Sequence, residues 1–216
     1  MCFVGLQGSY RRGEATEESD IDLCVILDRL EPKDVELLRQ TLDRLPEGHK
    51  AAGFVCGAAE LRAWPAFEIF AFSQDMDAWY GELAPLLPPV TRADALLGCR
   101  TAVAALYHEA AQALLLAPGL SGEAARAAAH SLAKAYLRAL QCAIFARKGV
   151  FPRERAAALA LAEKEEAELL STARDRELPG LAVALLEWSG ARLQELPMQA
   201  RLARGPQRRK KAGRAK

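Results

Sequence analysis

The sequence predicts an α+β fold, in which a small mixed β-sheet with flanking helices is followed by an all-α bundle of the four-helix type. Two observations support this prediction. Short β-branched runs are concentrated in about the first 90 residues, and alanine-rich stretches with helical periodicity dominate the residues that follow. We therefore expect a first domain over residues 1–90, a helical bundle over residues 91–200, and a basic, disordered tail over residues 201–216.

Four short runs in the first region are candidate strands. They are "CFVGL" (2–6), "IDLCVIL" (21–27), the glycine-flanked "AAGFVCG" (51–57) and the final "AWYGEL" (78–83). Between the second and third runs, a helix is expected from Pro32, because Val35, Leu38, Leu42 and Leu45 recur at helical spacing. The segment "ELRAWPAFEIFAFSQD" is ambiguous between helix and strand.

Four helices are expected after the proline-rich segment "PLLPPV" (85–90), which is the predicted hinge. The first follows a capping box of Thr91 and Asp94, and the second runs from Ser121 to basic residues before Gly149. The third begins at Pro152 and includes "EKEEAELL" (163–170), interpreted as a solvated helix face. The fourth is "GLAVALLEWSGARLQEL" (180–196).

Charge is distributed unevenly along the chain. Residues 201–216 hold eight basic and no acidic residues, so residues 1–200 hold 21 basic and 28 acidic ones. A basic tail is able to contact nucleic acid or an acidic partner. The simpler interpretation is a solvated chain end, since no aromatic residues are interleaved to stack on bases.

The composition argues against several classes of protein. No apolar run reaches the roughly 18 residues of a membrane helix. The five cysteines are scattered and form no CxxC pair or Cys/His cluster, which disfavours a zinc site or a disulfide framework. We expect a reduced, cytoplasmic protein with no membrane association.

Two aspartates at the start of a predicted strand are the main chemical feature. Because side chains alternate along a strand, Asp20 and Asp22 point the same way, with Cα atoms about 6.5 Å apart. Two like charges at the edge of a core repel each other and lose water, which is costly unless a cation neutralises them. Mg²⁺ suits such a place, because it prefers carboxylate, water and phosphate oxygens.

A possible phosphate site lies just upstream of these aspartates. Gly8 and Ser9 end the first predicted strand in a tight turn, where a glycine lets phosphate approach the backbone and serine offers a hydroxyl and an amide. Arg11 and Arg12 add positive charge nearby. The combination of turn and carboxylates predicts binding of a metal–triphosphate.

The stretch "GSYRRGEATEESDIDLCVIL" (8–27) resembles the GS…DxD signature of the nucleotidyltransferase superfamily, which has the DNA polymerase β-like fold. The positions that match the pattern of small prokaryotic members are Gly8, Ser9, Tyr10, Arg12, Gly13, Ser19, Asp20, Asp22 and Leu23. The resemblance is strong over residues 3–27 and looser to about residue 83. The helical half resembles, more weakly, the bundles that follow this domain in minimal and aminoglycoside-type members.

The resemblance implies a reaction. Asp20 and Asp22 would hold Mg²⁺ (or Mn²⁺) as the catalytic metal ligands, and nucleotide binding would fall to Gly8, Ser9, Arg12 and Ser19. A nucleoside monophosphate, with AMP from ATP as first choice, would pass to a hydroxyl of a protein, small molecule or RNA, releasing pyrophosphate. The alternatives are a catalytically silent nucleotide-binding module that acts through a protein partner, and a scaffold that forms a homodimer.

The sequence departs from the family at one important place. Active members usually carry a third carboxylate on the strand after the crossover helix, but Ala51 to Gly53 hold no acidic residue. Glu60 and Glu68 are the nearest downstream candidates, and His108 or Glu109 could act from the helical half. Three hypotheses remain: a site with two carboxylates, a base from the helical half, or a silent domain.

Overall fold

A computed structural model describes residues 1–17 and 19–196 of the chain. Four strands form one sheet in the order β3-β2-β1-β4. They are β1 (Phe3–Leu6), β2 (Ile21–Leu27), β3 (Ala51–Gly57) and β4 (Asp77–Tyr80). Strand β1 is antiparallel to both β2 and β4, whereas β2 and β3 are parallel, so the predicted mixed sheet is confirmed.

The pairing of β1 with β2 positions the site. Leu6 at the end of β1 pairs with Leu23, and the backbone N–H of Gln7 donates to the carbonyl of Asp22 over 2.8 Å. The turn that follows β1 therefore lies beside the start of β2. It forms a one-turn helix, α1 (Gly8–Arg11).

The crossover between the parallel strands is α2 (Pro32–Leu42), which starts at the predicted proline. A capping box between Glu31 and Asp34 fixes its first turn. No residue of α2 is buried, and Val35 is 48% exposed. The periodic apolar residues of this segment therefore predicted the helix correctly but do not contribute to the core.

The ambiguous segment after β3 folds as two helices, α3 (Ala58–Arg62) and α4 (Ala66–Gln74). Helix α4 buries Ile69 and Phe70 and leads into the edge strand β4. These helices cover the sheet core around Phe3, Cys24 and Ile26, all of which are completely buried.

The second region is helical, as predicted. It comprises α5 (Arg92–Leu116), α6 (Gly122–Lys148), α7 (Arg155–Leu161), α8 (Lys164–Thr172) and α9 (Leu178–Glu195). The side chain of Thr91 accepts from Asp94 N in the expected capping box, and Ser121 caps α6. Gly149 ends α6 with φ of +73°, a left-handed conformation that favours glycine.

One helix prediction is wrong, because the third expected helix is broken into α7 and α8. Ala162 is extended, with ψ of 157°, and Glu163 starts α8 with a new capping box to Glu166. Glu166 is only 1% exposed, so the "EKEEAELL" run is not simply a solvated face. Arg147 on α6 donates two hydrogen bonds to its carboxylate, over 2.8 and 2.6 Å, which makes burial of this charge tolerable.

The sheet region and the helical region share an apolar cluster. Phe70 on α4 packs on Phe145 and Phe151, with ring centroids 4.5 and 5.7 Å apart, beside the buried Cys99 and Cys142. The predicted basic tail lies outside the described residues. Within those residues, no helix combines the length and apolar character needed to cross a membrane.

Candidate active site

The turn after β1 contacts the second aspartate of the motif. Gly8 has φ of +68°, and a Cβ at this position would collide with Oδ2 of Asp22. Glycine is therefore required both by the backbone conformation and by the close approach of the carboxylate. Ser9 beside it is 8% exposed. The structure thus brings the Gly8–Ser9 turn and Asp22 together, as the sequence predicted.

We expect Gly8→Ala to displace the Asp22 carboxylate, because the added methyl group occupies its place. The binding of Mg²⁺ and ATP that the sequence predicts should then weaken by more than about tenfold. Gly13→Ala is the matched control, since Gly13 has a similar φ of +67° but no atom within 4 Å of an added Cβ. Both variants carry the backbone strain and only the first carries the collision. Calorimetric titration with Mg²⁺ and ATP measures the difference, and equal losses in both would contradict this interpretation.

Opposing influences act on the pKa of Asp22. Burial raises its pKa and the nearby charge of Asp20 raises it further, whereas Lys134, Arg12 and Arg138 lower it. Asp20 itself is exposed and lies immediately before β2. The two carboxylates are therefore close enough to repel each other, and cations from a distant helix partly compensate.

A cleft of about 110 Å³ separates this turn from the helical region. Its lining combines Gly8, Ser9, Arg12, Asp22 and Asp75 of the sheet region with Ala133, Lys134, Leu137, Arg138, Gln141, Arg155 and Arg174 of the helical region. Five basic side chains face two carboxylates, so we call this the basic hollow. Four of these cations were not predicted from the sequence, because they lie more than 100 residues after Asp22.

Crowding of like charges favours an anion in the basic hollow. Burial lowers the pKa of Arg155, and the positive charges of Arg174 and Arg12 lower it further, although Glu14 raises it. The Nε atom of Arg12 is buried without a hydrogen-bond partner; it lies 3.5 Å from Glu14 Oε2. A bound phosphate would relieve the repulsion between these cations.

Asp75, which was not predicted from the sequence, binds both Arg11 and Arg12. Its two carboxylate oxygens accept hydrogen bonds from Arg11 Nε and Arg12 Nη1, each over 2.6 Å. Arg11, whose side chain is 3% exposed, also donates to Glu154 Oε1 over 2.9 Å and to the carbonyl of Arg153 over 3.0 Å. The turn is therefore held against the helical region.

A second cavity, of about 280 Å³, is also lined by Asp22. Its lining is Gln7, Gly8, Asp22, Glu68, Ala71, Phe72, Asp75 and Arg138. We call it the second hollow. Four residues line both hollows, namely Gly8, Asp22, Asp75 and Arg138. Asp22 therefore lines both the basic hollow and the second hollow, which has more carboxylates than cations.

Comparison with known proteins agrees with this geometry. Residues 3–54 match the family model described as a nucleotidyltransferase domain. Residues 3–54 are thus similar to a nucleotidyltransferase domain. The matched segment covers about a quarter of the chain and contains all six predicted site residues, and it supports nucleotidyl transfer in general. A search of curated proteins found no match.

The structure places Ser19, the remaining predicted nucleotide ligand of the nucleotidyltransferase domain, in a local turn. Its hydroxyl accepts from the backbone N–H of Thr16 over 2.9 Å, and Ser19 is 5% exposed. It is not among the residues that line either hollow. A role of Ser19 in nucleotide binding remains a prediction, and its observed contact shapes the loop before Asp20.

The register of the sheet shows which residues of β3 stand where the third carboxylate would be expected. Asp22 pairs with Ala52 of β3 and Leu23 with Gly53, so β3 offers only small side chains beside the aspartate. Glu60 packs against Gly57 at the far end of β3. Glu68, by contrast, lines the second hollow with Asp22. His108 and Glu109 are exposed on α5 and line neither hollow.

The donor set fits Mg²⁺ better than a metal that needs several protein ligands. Among residues 1–17 and 19–196, no group of three or more His, Cys, Asp or Glu side chains is arranged to hold a metal. Asp22 and Asp20 offer two carboxylates whose repulsion a divalent cation would relieve. Mg²⁺ is commonly bound by one or two carboxylates, with water and substrate phosphates as its other ligands.

Proposed function

We propose that the protein is a Mg²⁺-dependent nucleotidyltransferase that moves a nucleoside monophosphate, with AMP from ATP as first choice, onto a hydroxyl and releases pyrophosphate. The observation that carries this proposal is the position of Asp22, which lies between the Gly8 turn and a hollow with five basic side chains. A triphosphate carries several negative charges close together, which that hollow would balance. The family match of residues 3–54 supports the same class of reaction.

The residues of the basic hollow have distinct tasks in this proposal. The backbone and hydroxyl of Ser9 would bind the terminal phosphates at the turn, where Gly8 allows close approach. Arg12 would add positive charge beside the phosphates. Lys134 and Arg138 would bind the phosphates from α6, opposite the turn. Together they orient the α-phosphate and disperse the charge that develops on pyrophosphate.

Asp22 and Asp20 would hold Mg²⁺ or Mn²⁺. When bound, the metal supplies Lewis-acid stabilisation of charge on the phosphate oxygens. The chain contributes by keeping the Asp22 carboxylate beside Gly8. No side chain needs to become a nucleophile.

We expect Lys134→Ala and Arg138→Ala each to weaken ATP binding by about 10–100-fold, because each removes a charge-assisted contact worth roughly 1.5–3 kcal/mol. The control is Lys33→Ala, a 77% exposed lysine on α2 that pairs only with Glu31 among the described residues. Radiolabelled ATP with Mg²⁺ or Mn²⁺ measures both binding and pyrophosphate release. Unchanged ATP affinity in both variants would remove the proposed phosphate contacts from α6.

The second candidate is a nucleotide-binding module without catalysis that acts through a protein partner. The small residues of β3 beside Asp22 favour it, because the carboxylate that usually completes such a site is absent from that strand. The two candidates differ in outcome. Stabilisation of the fold by Mg²⁺ and ATP, without pyrophosphate release for any acceptor, would favour the module.

A further inference from the structure

The second hollow has no task in the function proposed above, although it shares Gly8, Asp22, Asp75 and Arg138 with the basic hollow. We propose that this hollow binds the acceptor, a small uncharged or cationic hydroxyl compound, and that Glu68 takes the proton from its hydroxyl. The inference rests on the proposed nucleotidyl transfer. It adds the place of the acceptor, its chemical class and a base from α4.

The layout of the two hollows fits the geometry of the reaction. In phosphoryl transfer, the attacking and leaving oxygens lie roughly in line on opposite sides of the phosphorus. The leaving pyrophosphate belongs in the basic hollow, where five cations balance its charge. If the α-phosphate lies beside Asp22, the acceptor would attack it from the second hollow, which Asp22 also lines.

Glu68 is the carboxylate of the second hollow that is free for proton transfer. Asp75 is engaged on both oxygens by Arg11 and Arg12. Within the described residues, Glu68 forms no ion pair, and its Oε2 accepts a hydrogen bond from Trp64 Nε1 over 2.7 Å. That bond, between residues four apart, orients the carboxylate and leaves Oε1 for a substrate hydroxyl.

The lining also restricts the acceptor. Phe72 and Ala71 give the hollow an apolar wall, and Gln7 places an amide beside it. The Glu68 carboxylate repels phosphates, so a nucleic-acid end is disfavoured here, whereas an amine would be attracted. A volume of about 280 Å³ is near the lower limit for small-molecule sites.

The chemical step balances without a further reactant. The acceptor oxygen forms a bond to the α-phosphorus while the bond from that phosphorus to the bridging oxygen of pyrophosphate breaks. Pyrophosphate leaves with the electron pair, and the hydroxyl proton passes to Glu68 and then to water. No group is oxidised or reduced.

The test compares Glu68→Gln with Glu60→Gln, a neighbouring exposed glutamate outside both hollows. The acceptors are water and three hexoses that share a ring but differ in charge, namely glucose, glucosamine and glucose 6-phosphate. Transfer from α-labelled ATP is expected to fall about 10²–10³-fold in Glu68→Gln and to stay at the wild-type level in Glu60→Gln. Stabilisation of either variant by Mg²⁺ and ATP should match that of the wild type.

Wild-type transfer is expected to be faster to glucosamine and glucose than to glucose 6-phosphate. Wild-type rates in Glu68→Gln would overturn the assignment of the base while leaving nucleotidyl transfer intact. A preference for glucose 6-phosphate, or for the end of an RNA oligonucleotide, would overturn the acceptor class. If the wild type releases no pyrophosphate even to water, the proposed function fails and this inference fails with it.

Discussion

Asp22→Asn is expected to lower nucleotidyl transfer by at least about 10³-fold and, at the same time, to stabilise the nucleotide-free protein. The loss follows from removing a carboxylate proposed to hold the metal, whose charge stabilisation is worth several kcal/mol. The gain follows because burial and Asp20 raise the pKa of Asp22, so its ionised form is disfavoured in the folded state. Removing that charge should raise the melting temperature by about 1–3 °C.

The pH dependence of stability tests whether the charge of Asp22 destabilises the folded protein. A carboxyl group whose pKa is raised on folding destabilises the fold most at pH values above that raised pKa. The stability difference between Asp22→Asn and the wild type should therefore be largest at neutral pH and shrink as the pH falls. Thermal melts between pH 4 and pH 8, without nucleotide, measure it.

Asp28→Asn is the control, since Asp28 is exposed just after the other end of β2. This substitution should change neither the melting temperature nor the rate of transfer. A lower melting temperature for Asp22→Asn would show that its carboxylate supports the fold rather than straining it. Retained transfer would remove Asp22 from the catalytic site.

Glu166→Gln should destabilise the protein by about 3 kcal/mol, lowering the melting temperature by about 6–12 °C. Burial alone would raise the pKa of Glu166, but hydrogen bonds from Arg147, from the backbone of Glu163 and from Trp188 hold it below its usual value. The carboxylate is therefore strongly stabilised in the folded state. An amide would remove the 2.6 Å ion pair of the Arg147 guanidinium and leave only its longer pair with Glu163, at 3.5 Å.

The control for this prediction is Glu165→Gln, the preceding residue of α8, which is exposed. It changes the charge of the same first turn and should shift the melting temperature by less than about 2 °C. Because the pKa of Glu166 is lowered on folding, its contribution exists above the unfolded pKa and is lost as the pH falls through the folded one. The two variants should converge in acid, and equal melting temperatures at pH 7 would contradict the assigned network.

Local patterns predicted much of the fold. Strands β2 and β3 start and end where their apolar runs do, and Thr91, Ser121 and Gly149 mark helix ends as expected. Each of these signals depends on neighbours in the chain, such as capping or alternation, and is therefore visible in the sequence. The approach of Gly8 to Asp22 was predictable for a related reason, since a short excursion joins two antiparallel strands.

The remaining parts of the site depend on contacts between distant segments. Lys134 and Arg138 look like solvated residues of a helix until α6 is placed opposite the turn. Asp75 belongs to no motif, and its importance arises from arginines more than 60 positions earlier. Glu166 lies in a run of charges that predicts exposure, and its burial is explained by hydrogen bonds from Arg147 on α6 and Trp188 on α9. Periodicity carries no information on such pairings.

Because Arg11 donates to the carbonyl of Arg153 and the carboxylate of Glu154, the Gly8–Ser9 turn depends on an anchor about 140 positions downstream. A shortened gene that encodes only the matched segment would lose that anchor, together with four of the five cations of the basic hollow. Moving the basic hollow into a chimeric protein would therefore require the chain as far as Arg174, which includes α6, α7 and α8. The smallest portable unit extends well beyond the recognisable motif.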